Sequence, residues 1–232
     1  MVACGCATDK MKTFSLSKSG RVVASAEKHI TADDLEKKYR QFPTDKAIGL
    51  AYTSALARTG RDDQAVAVIR RLTIAHPQDR QVLSVYGKTL AKAGQYEVAL
   101  DAIRRAQTPD MPDWSLLSAE AAALDGLGRS REAQELFKQA LKIAPKDGVV
   151  MSNLAMSYLV DNQIVESEKL LREAYGMNKG SSAIRQNLAL VLAIQGNTSE
   201  ARGLYALDLK PEEIEDNMRY VAQMRMQHGK KQ

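Results

Sequence analysis

One spacing governs this chain. The small residues Ala65, Ala99, Ala133, Ser167 and Ala201 lie 34 apart. The same step separates Gly60, Gly94, Gly128, Asn162 and Gly196, and again the large residues Ile69, Ile103, Phe137, Leu171 and Tyr205. Leu56, Leu90, Leu124, Tyr158 and Leu192 keep it too, and Pro43, Pro77 and Pro145 share a frame, with Pro109 and Pro112 flanking the missing member at Met111. Four residue classes in one period imply a repeated supersecondary unit. A helix ends at a left-handed position that only Gly or Asn adopts easily. A second helix follows, its small residue permits close approach, and its large residue fills the gap one turn later. Proline then stops the second helix before the next unit.

This pattern resembles the tetratricopeptide repeat. The turn segments ARTGRDDQA, AKAGQYEVA, DGLGRSREA, VDNQIVES and IQGNTSEA carry the likeness. The fold it implies is all-α, a right-handed superhelical solenoid of helix-turn-helix repeats with a C-terminal capping helix. The frame divides residues 46–210 into five units, at 46–79, 80–113, 114–147, 148–181 and 182–210. Residues 1–28 read as a polar, flexible tether, and 29–45 as a half unit whose helix starts near Thr31-Ala32-Asp33-Asp34 and stops at Pro43. Residues 211–228 read as the cap and 229–232 as a tail. In the cap, Pro211-Glu212-Glu213 is a helix start, and Ile214, Met218 and Val221 form one apolar face. The first-helix Trp of the family is missing from its usual place, where Gly49 and Arg185 stand in two of the units.

Composition agrees with a helical array. Hydrophobic residues make up 44% and aromatics 5%, with a single Trp114, so the core is built of Ala, Leu, Val and Ile. The net charge of +5 is scattered among carboxylates, without the basic stripe and stacking aromatics of a nucleic-acid binder. No stretch reaches the roughly 20 apolar residues of a membrane span.

The search for chemistry is negative. Gly87-Lys88-Thr89 resembles the end of a phosphate loop, but Val82 stands where the loop's first Gly belongs. Ser15-Leu16-Ser17-Lys18 matches an acylating motif without its companions. His29, His76 and His228 are far apart, and Cys4 and Cys6 cannot complete a four-ligand zinc site. The chain reads as a non-enzyme, with no cofactor, metal or catalytic residues.

In the family the first helices line a groove. Its exposed positions here are Ser84, Lys88 and Lys92 in unit two, Asn153, Met156, Leu159 and Val160 in unit four, and Asn187, Leu190 and Ile194 in unit five. The two Asn amides would hydrogen-bond a guest backbone while the apolar residues bury its side chains. Alternatively the Asn residues bridge neighbouring helices. Val149 and Ala183 stand where a carboxylate-clamping Lys is expected, which argues against a clamp.

Val2-Ala3-Cys4 fits three of the four places of a bacterial lipobox, making Cys4 the first lipidation candidate and Cys6 the second. With Pro112-Asp113-Trp114 and the run from Ile184 to Gly196, the chain resembles the TadD-type tetratricopeptide lipoproteins of the tight-adherence (Flp) pilus assembly system. The resemblance implies a lipoprotein on the periplasmic face of the outer membrane. It would act as a pilotin or adaptor for the secretin or another pilus subunit and touch the membrane only through its lipid. The alternative is a soluble cytosolic scaffold or co-chaperone holding a peptide segment. Nucleic acid is not an expected partner in either case.

Overall fold

The computed structural model describes residues 31–108 and 110–229. Among them are twelve α-helices and no strand. The tether, Cys4, Cys6, the Ser15–Lys18 motif and His29 lie outside the described residues, as do the His228 side chain and most of the tail. The described chain forms two compact units, 31–145 and 146–229.

Unit 31–145 holds α1 (Ala32–Gln41), α2 (Lys46–Arg58), α3 (Asp62–Ala75), α4 (Arg80–Lys92), α5 (Tyr96–Ala106), α6 (Trp114–Gly126) and α7 (Ser130–Ile143). Each helix packs on the next, and α2, α4 and α6 also touch in order. Unit 146–229 holds α8 (Gly148–Val160), α9 (Ile164–Met177), α10 (Ser182–Gln195), α11 (Thr198–Tyr205) and α12 (Pro211–Gly229). Here α8, α9, α10 and α11 pack in sequence, and α12 lies on α10 and α11. The frame's opening residues Lys46, Arg80, Trp114, Gly148 and Ser182 are the first residues of α2, α4, α6, α8 and α10.

Local chemistry explains each boundary. Every first helix is capped at its N-terminus by a side-chain oxygen, from Asp45, Asp79, Asp113, Asp147 or Ser181, which accepts a backbone N–H two or three residues on. At the C-terminus, the turn residues Gly60, Gly94, Gly128, Asn162 and Gly196 all have positive φ, between 60° and 97°. The next N–H then reaches back over a turn, as in Arg61 to the Leu56 carbonyl at 3.0 Å and Gln95 to that of Leu90 at 2.9 Å. That bond satisfies carbonyls the helix leaves open, and it needs the left-handed residue between. Helix α1 begins at the expected place. Thr31 accepts from the Asp34 N–H at 3.1 Å and Asp34 accepts in return, closing a capping box.

The core follows the repeat. Leu56, Ile69, Leu90, Ile103 and Phe137 are fully buried in the first unit, and Leu171, Leu188, Leu192 and Tyr205 in the second. A Cβ on Gly87 would lie 2.5 Å from Ile103 Cγ1 and 3.0 Å from the Ile103 nitrogen, so this glycine lets α4 and α5 meet backbone to backbone. Its neighbours Lys88 and Thr89 are mid-helix, and the helical backbone there cannot form a phosphate cradle. A Cβ on Gly49 would come within 2.6 Å of Leu72. Repeats two to four carry Leu83, Leu117 or Met151 at the place of Gly49 and Ala106, Ala140 or Ala174 at the place of Leu72, and repeat five carries Arg185 and Asp208. Unit one has exchanged large for small across the pair.

Two second helices depart from the others' 14 residues. Helix α5 stops at Ala106, because Pro109 occupies what would be the last helical turn and disfavours helical backbone at Thr108. Helix α11 has only 8 residues, so unit five is not a complete hairpin of the common length. The same unit carries Arg185 in place of the apolar residue of that position in α4, α6 and α8. The guanidinium donates to both carboxylate oxygens of Asp208, through Nε at 2.8 Å, and also to the Lys179 carbonyl. The chain folds back onto this pair before α12 begins. Ile214, Met218 and Val221 of α12 are buried, the face expected from their spacing.

Candidate protein-binding surface

In unit 31–145 the two lysines of α4 hold helices together. Lys88 Nζ is half-buried and donates to Ser115 Oγ on α6 at 2.9 Å. Ser115 in turn donates to the Asp113 carboxylate at 2.6 Å. Burial lowers the Lys88 pKa below the ordinary lysine value, and the Asp113 charge works against that shift. Lys92 Nζ lies 2.7 Å from Asp62 and donates to the Ala57 carbonyl at the end of α2. Both cations are thus used inside the array. Ser84 is half-buried beside them.

Unit 146–229 presents a different surface. Val149, Asn153, Met156 and Val160 follow one another at four, three and four residues along α8, which puts them on one stripe. Both valines are exposed and Asn153 is partly so, while Met156 and Leu159 are half-buried and pack against the core cluster of this unit. The Asn153 amide has no hydrogen-bond partner among the described residues. Helix α8 contains no charged residue over its 13 positions. The stripe therefore offers apolar atoms and one free amide.

The expected counterpart on α10 is placed otherwise. Asn187 is 3% exposed and Leu190 7%, so neither is an open groove position. The Asn187 amide donates to Ser152 Oγ of α8 at 2.9 Å, and its Oδ1 is buried without a partner. Leu190 belongs to the cluster of Ile214, Met218 and Val221, and Ile194 packs against the same cluster half-buried. The helix α12 closes over this face. Asn153 and Asn187 therefore share a repeat position but not an environment. Asn187 takes the alternative of bridging neighbouring helices, and spacing does not choose between the two because the outcome depends on α12 and on Ser152.

His76 Nε2 lies 2.9 Å from the Thr44 carbonyl, a contact between successive loops. Among the described residues no group of three or more His, Cys, Asp or Glu could hold a metal ion, and no helix is long and apolar enough to cross a membrane.

Comparison with known proteins agrees with this architecture. Residues 53–113 and 119–147 match tetratricopeptide repeat family models. No curated protein sequence matches the chain. Among solved structures, a thermophilic tetratricopeptide protein of Thermus thermophilus, TTC0263, is 21% identical, with 77% of this chain and 99% of that one covered and a TM-score of 0.67. A tetratricopeptide repeat protein of Parabacteroides merdae ATCC 43184 is 12% identical over 82% of this chain and 76% of that one, with a TM-score of 0.71. PilW, described as a widely conserved type IV pilus biogenesis factor, is 12% identical over 82% of this chain and 88% of its own, with a TM-score of 0.65. At these identities the likeness is one of fold. With the recurring helix pairs, their left-handed turns and the two matched segments, the chain carries tetratricopeptide repeats over residues 53–113 and 119–147.

Proposed function

We propose that this chain is a non-enzymatic scaffold that holds an uncharged, apolar segment of a partner protein on α8, and that it serves the assembly of a Flp-type pilus. The observation that carries the binding reading is the exposed stripe Val149–Asn153–Met156–Val160 on a helix without charge. Tetratricopeptide folds bind protein segments through shape and a few anchors, and apolar anchors around one free amide suit an amphipathic helix or extended strand. Lys88 and Lys92 are already engaged within the array, which argues further against recognition of a C-terminal carboxylate.

The pilus reading rests on the sequence resemblance set out above. PilW is a pilus protein on the same fold, and its kinship here is of fold alone. In this reading Cys4, or failing it Cys6, receives the lipid, and the repeats face the periplasm, where the secretin or another assembly subunit is the guest.

The test is a photo-crosslinker placed at Val160 in the chain expressed from its native locus, with the intact mass of the same product measured. A crosslink to an apolar segment of a pilus assembly subunit, on a chain carrying diacylglycerol at Cys4 or Cys6, is expected. An unacylated chain crosslinked to a cytosolic protein would replace this reading with a cytosolic scaffold.

A further inference from the structure

One edge of unit 31–145 is composed unlike the rest of its surface. Helices α1 to α7 run alternately up and down, so the corners where a second helix passes to the next first helix all fall on one side. Each corner exposes one large apolar side chain: Phe42, Ile74, Met111 or Ile143. Ile74 and Met111 are 78% and 77% exposed. A single exposed isoleucine needs no explanation, but one large apolar residue per repeat along one edge makes a row.

The same corners carry cations. Residues 36–45, 70–79, 104–113 and 138–145 hold nine Lys or Arg against five Asp or Glu, a net charge of +4, while the remainder of residues 31–145 is net −2. Most of those acids are engaged, and of the cations Arg40, Arg104, Arg105 and Lys138 are paired as well, with Glu36, Glu120, Asp101 and Glu135. Asp45, Asp79 and Asp113 accept the N–H groups of the helices they cap, and Glu36 pairs with Arg40 at 2.6 Å. Arg70 and Arg71 stand exposed one turn before Ile74 and form no ion pair among the described residues. Lys142 adjoins Ile143.

We propose that this edge rests on an anionic lipid surface, with Phe42, Ile74, Met111 and Ile143 entering the headgroup boundary and the corner lysines and arginines meeting the lipid charge. Apolar anchors flanked by Lys and Arg are the composition that binds such a boundary, through buried apolar area and attraction to anionic lipid together. A protein partner suits the edge less well. Its anchors are set one per repeat with polar turns between them, whereas a protein interface needs a contiguous apolar centre. The proposal does not rest on Cys4 or Cys6. A lipid at either would hold the chain near a membrane, and the edge would fix which side of the repeats faces it.

The test uses the full chain with Cys4→Ser and Cys6→Ser, so that no acyl group contributes. Co-sedimentation is measured with phosphatidylcholine vesicles and with vesicles containing phosphatidylglycerol, with quenching of Trp114, three residues beyond Met111, by brominated lipid. The expected result is binding to the anionic vesicles that falls as salt rises, with Trp114 quenched. The pair Ile74→Ser and Met111→Ser should weaken it by about tenfold or more, and Arg70→Gln with Arg71→Gln by about tenfold. Leu207→Ser, an exposed apolar change in the other unit, should leave it unchanged. All these positions are exposed, and thermal melts establish that the variants fold. Equal binding to neutral vesicles, or binding indifferent to the edge variants, overturns the proposal. Absence of vesicle binding, with the edge variants instead abolishing self-association or copurification of a protein, overturns it in favour of a protein-facing edge.

Discussion

Helix α4 and helix α8 occupy the same place in their repeats and face their surroundings with opposite chemistry. Lys88 and Lys92 on α4 correspond to Met156 and Val160 on α8, and to Leu190 and Ile194 on α10. On α4 the cations are spent on neighbours, at Ser115, Asp62 and the Ala57 carbonyl. On α8 Met156 leans half-buried on the core cluster that Ile194 also joins, and Val160 is left open. On α10 the same positions are covered by α12. The repeat fixes backbone and core while leaving these positions free, so neighbours outside the repeat decide whether a lining residue is structural or available. That difference can be attacked experimentally, beginning with the contact that ends the array.

The largest effect is expected at Arg185, the one charged member of an otherwise apolar repeat column. Its pair with Asp208 is nearly buried, with side chains 12% and 10% exposed. Asp208→Ala leaves a buried cation unpaired and should cost about 3 kcal/mol in chemical denaturation. Replacing both with Leu should be near neutral, because unit four manages with Met151 at that place. The hydrogen bond and charge of Arg185 hold the Asp208 carboxyl below its ordinary pKa. A depressed folded-state pKa stabilises the protein above the unfolded value of about 3.9 and loses that contribution as pH falls through the folded value. The wild type should therefore lose stability relative to the double Leu variant between about pH 4 and lower pH. Parallel pH profiles would refute the pairing.

Next comes the small-residue column Thr53, Gly87, Ala121, Ala155 and Ala189. Ala155 and Ala189 are fully buried and accommodate a Cβ. At Gly87 that atom would press on the Ile103 side chain and on α5 backbone at 3.0 and 3.2 Å. Gly87→Ala should cost about 2 kcal/mol despite higher helix propensity. A stabilised Gly87→Ala would mean that α4 and α5 can separate freely.

A smaller change is expected when α4 is made to resemble α8. Lys88→Met removes a half-buried charge and one hydrogen bond, and the two losses offset to within about 1 kcal/mol. The pH dependence is the sharper readout. Burial lowers the Lys88 pKa, so the unfolded chain binds the proton more tightly. The wild type should gain stability relative to Lys88→Met as pH rises toward the unfolded value of about 10.4. A constant difference across that range would show Lys88 to be solvated.

Much of this was legible in the sequence. The 34-residue columns give the helix pairs, the turns and the first residue of every first helix, because each column answers a backbone requirement. The N-cap column of Asp45, Asp79, Asp113, Asp147 and Ser181 was there to be found by the same spacing and was missed. The pair of Arg185 with Asp208 also had a signal, an arginine in an apolar column with an acid 23 residues on. The burial of Asn187 had none, because periodicity places a residue on a helix without saying what lies opposite. Asn153 and Asn187 look alike in the chain and differ only through Ser152 and α12.

The smallest expected effect separates the turn of unit four from the others. Asn162 has φ 60°, while Gly128 in the same column has φ 76° with nothing within 4 Å of where a Cβ would stand. Any cost of a side chain there is therefore backbone strain alone, since there is no neighbour to strike. Gly128→Ala should destabilise by about 1 kcal/mol, and Gly128→Asn by less, because Asn tolerates the left-handed region. Asn162→Gly relieves that strain but frees the unfolded chain, and the two terms leave a change within about 0.5 kcal/mol. Thermal melts of the three variants give the order. Should Gly128→Ala prove as harmless as Asn162→Gly, the left-handed residue would not be what fixes the first-to-second helix turn. The carbonyl bond closed behind it, from Arg129 to Leu124 at 2.9 Å, would then have to form without it.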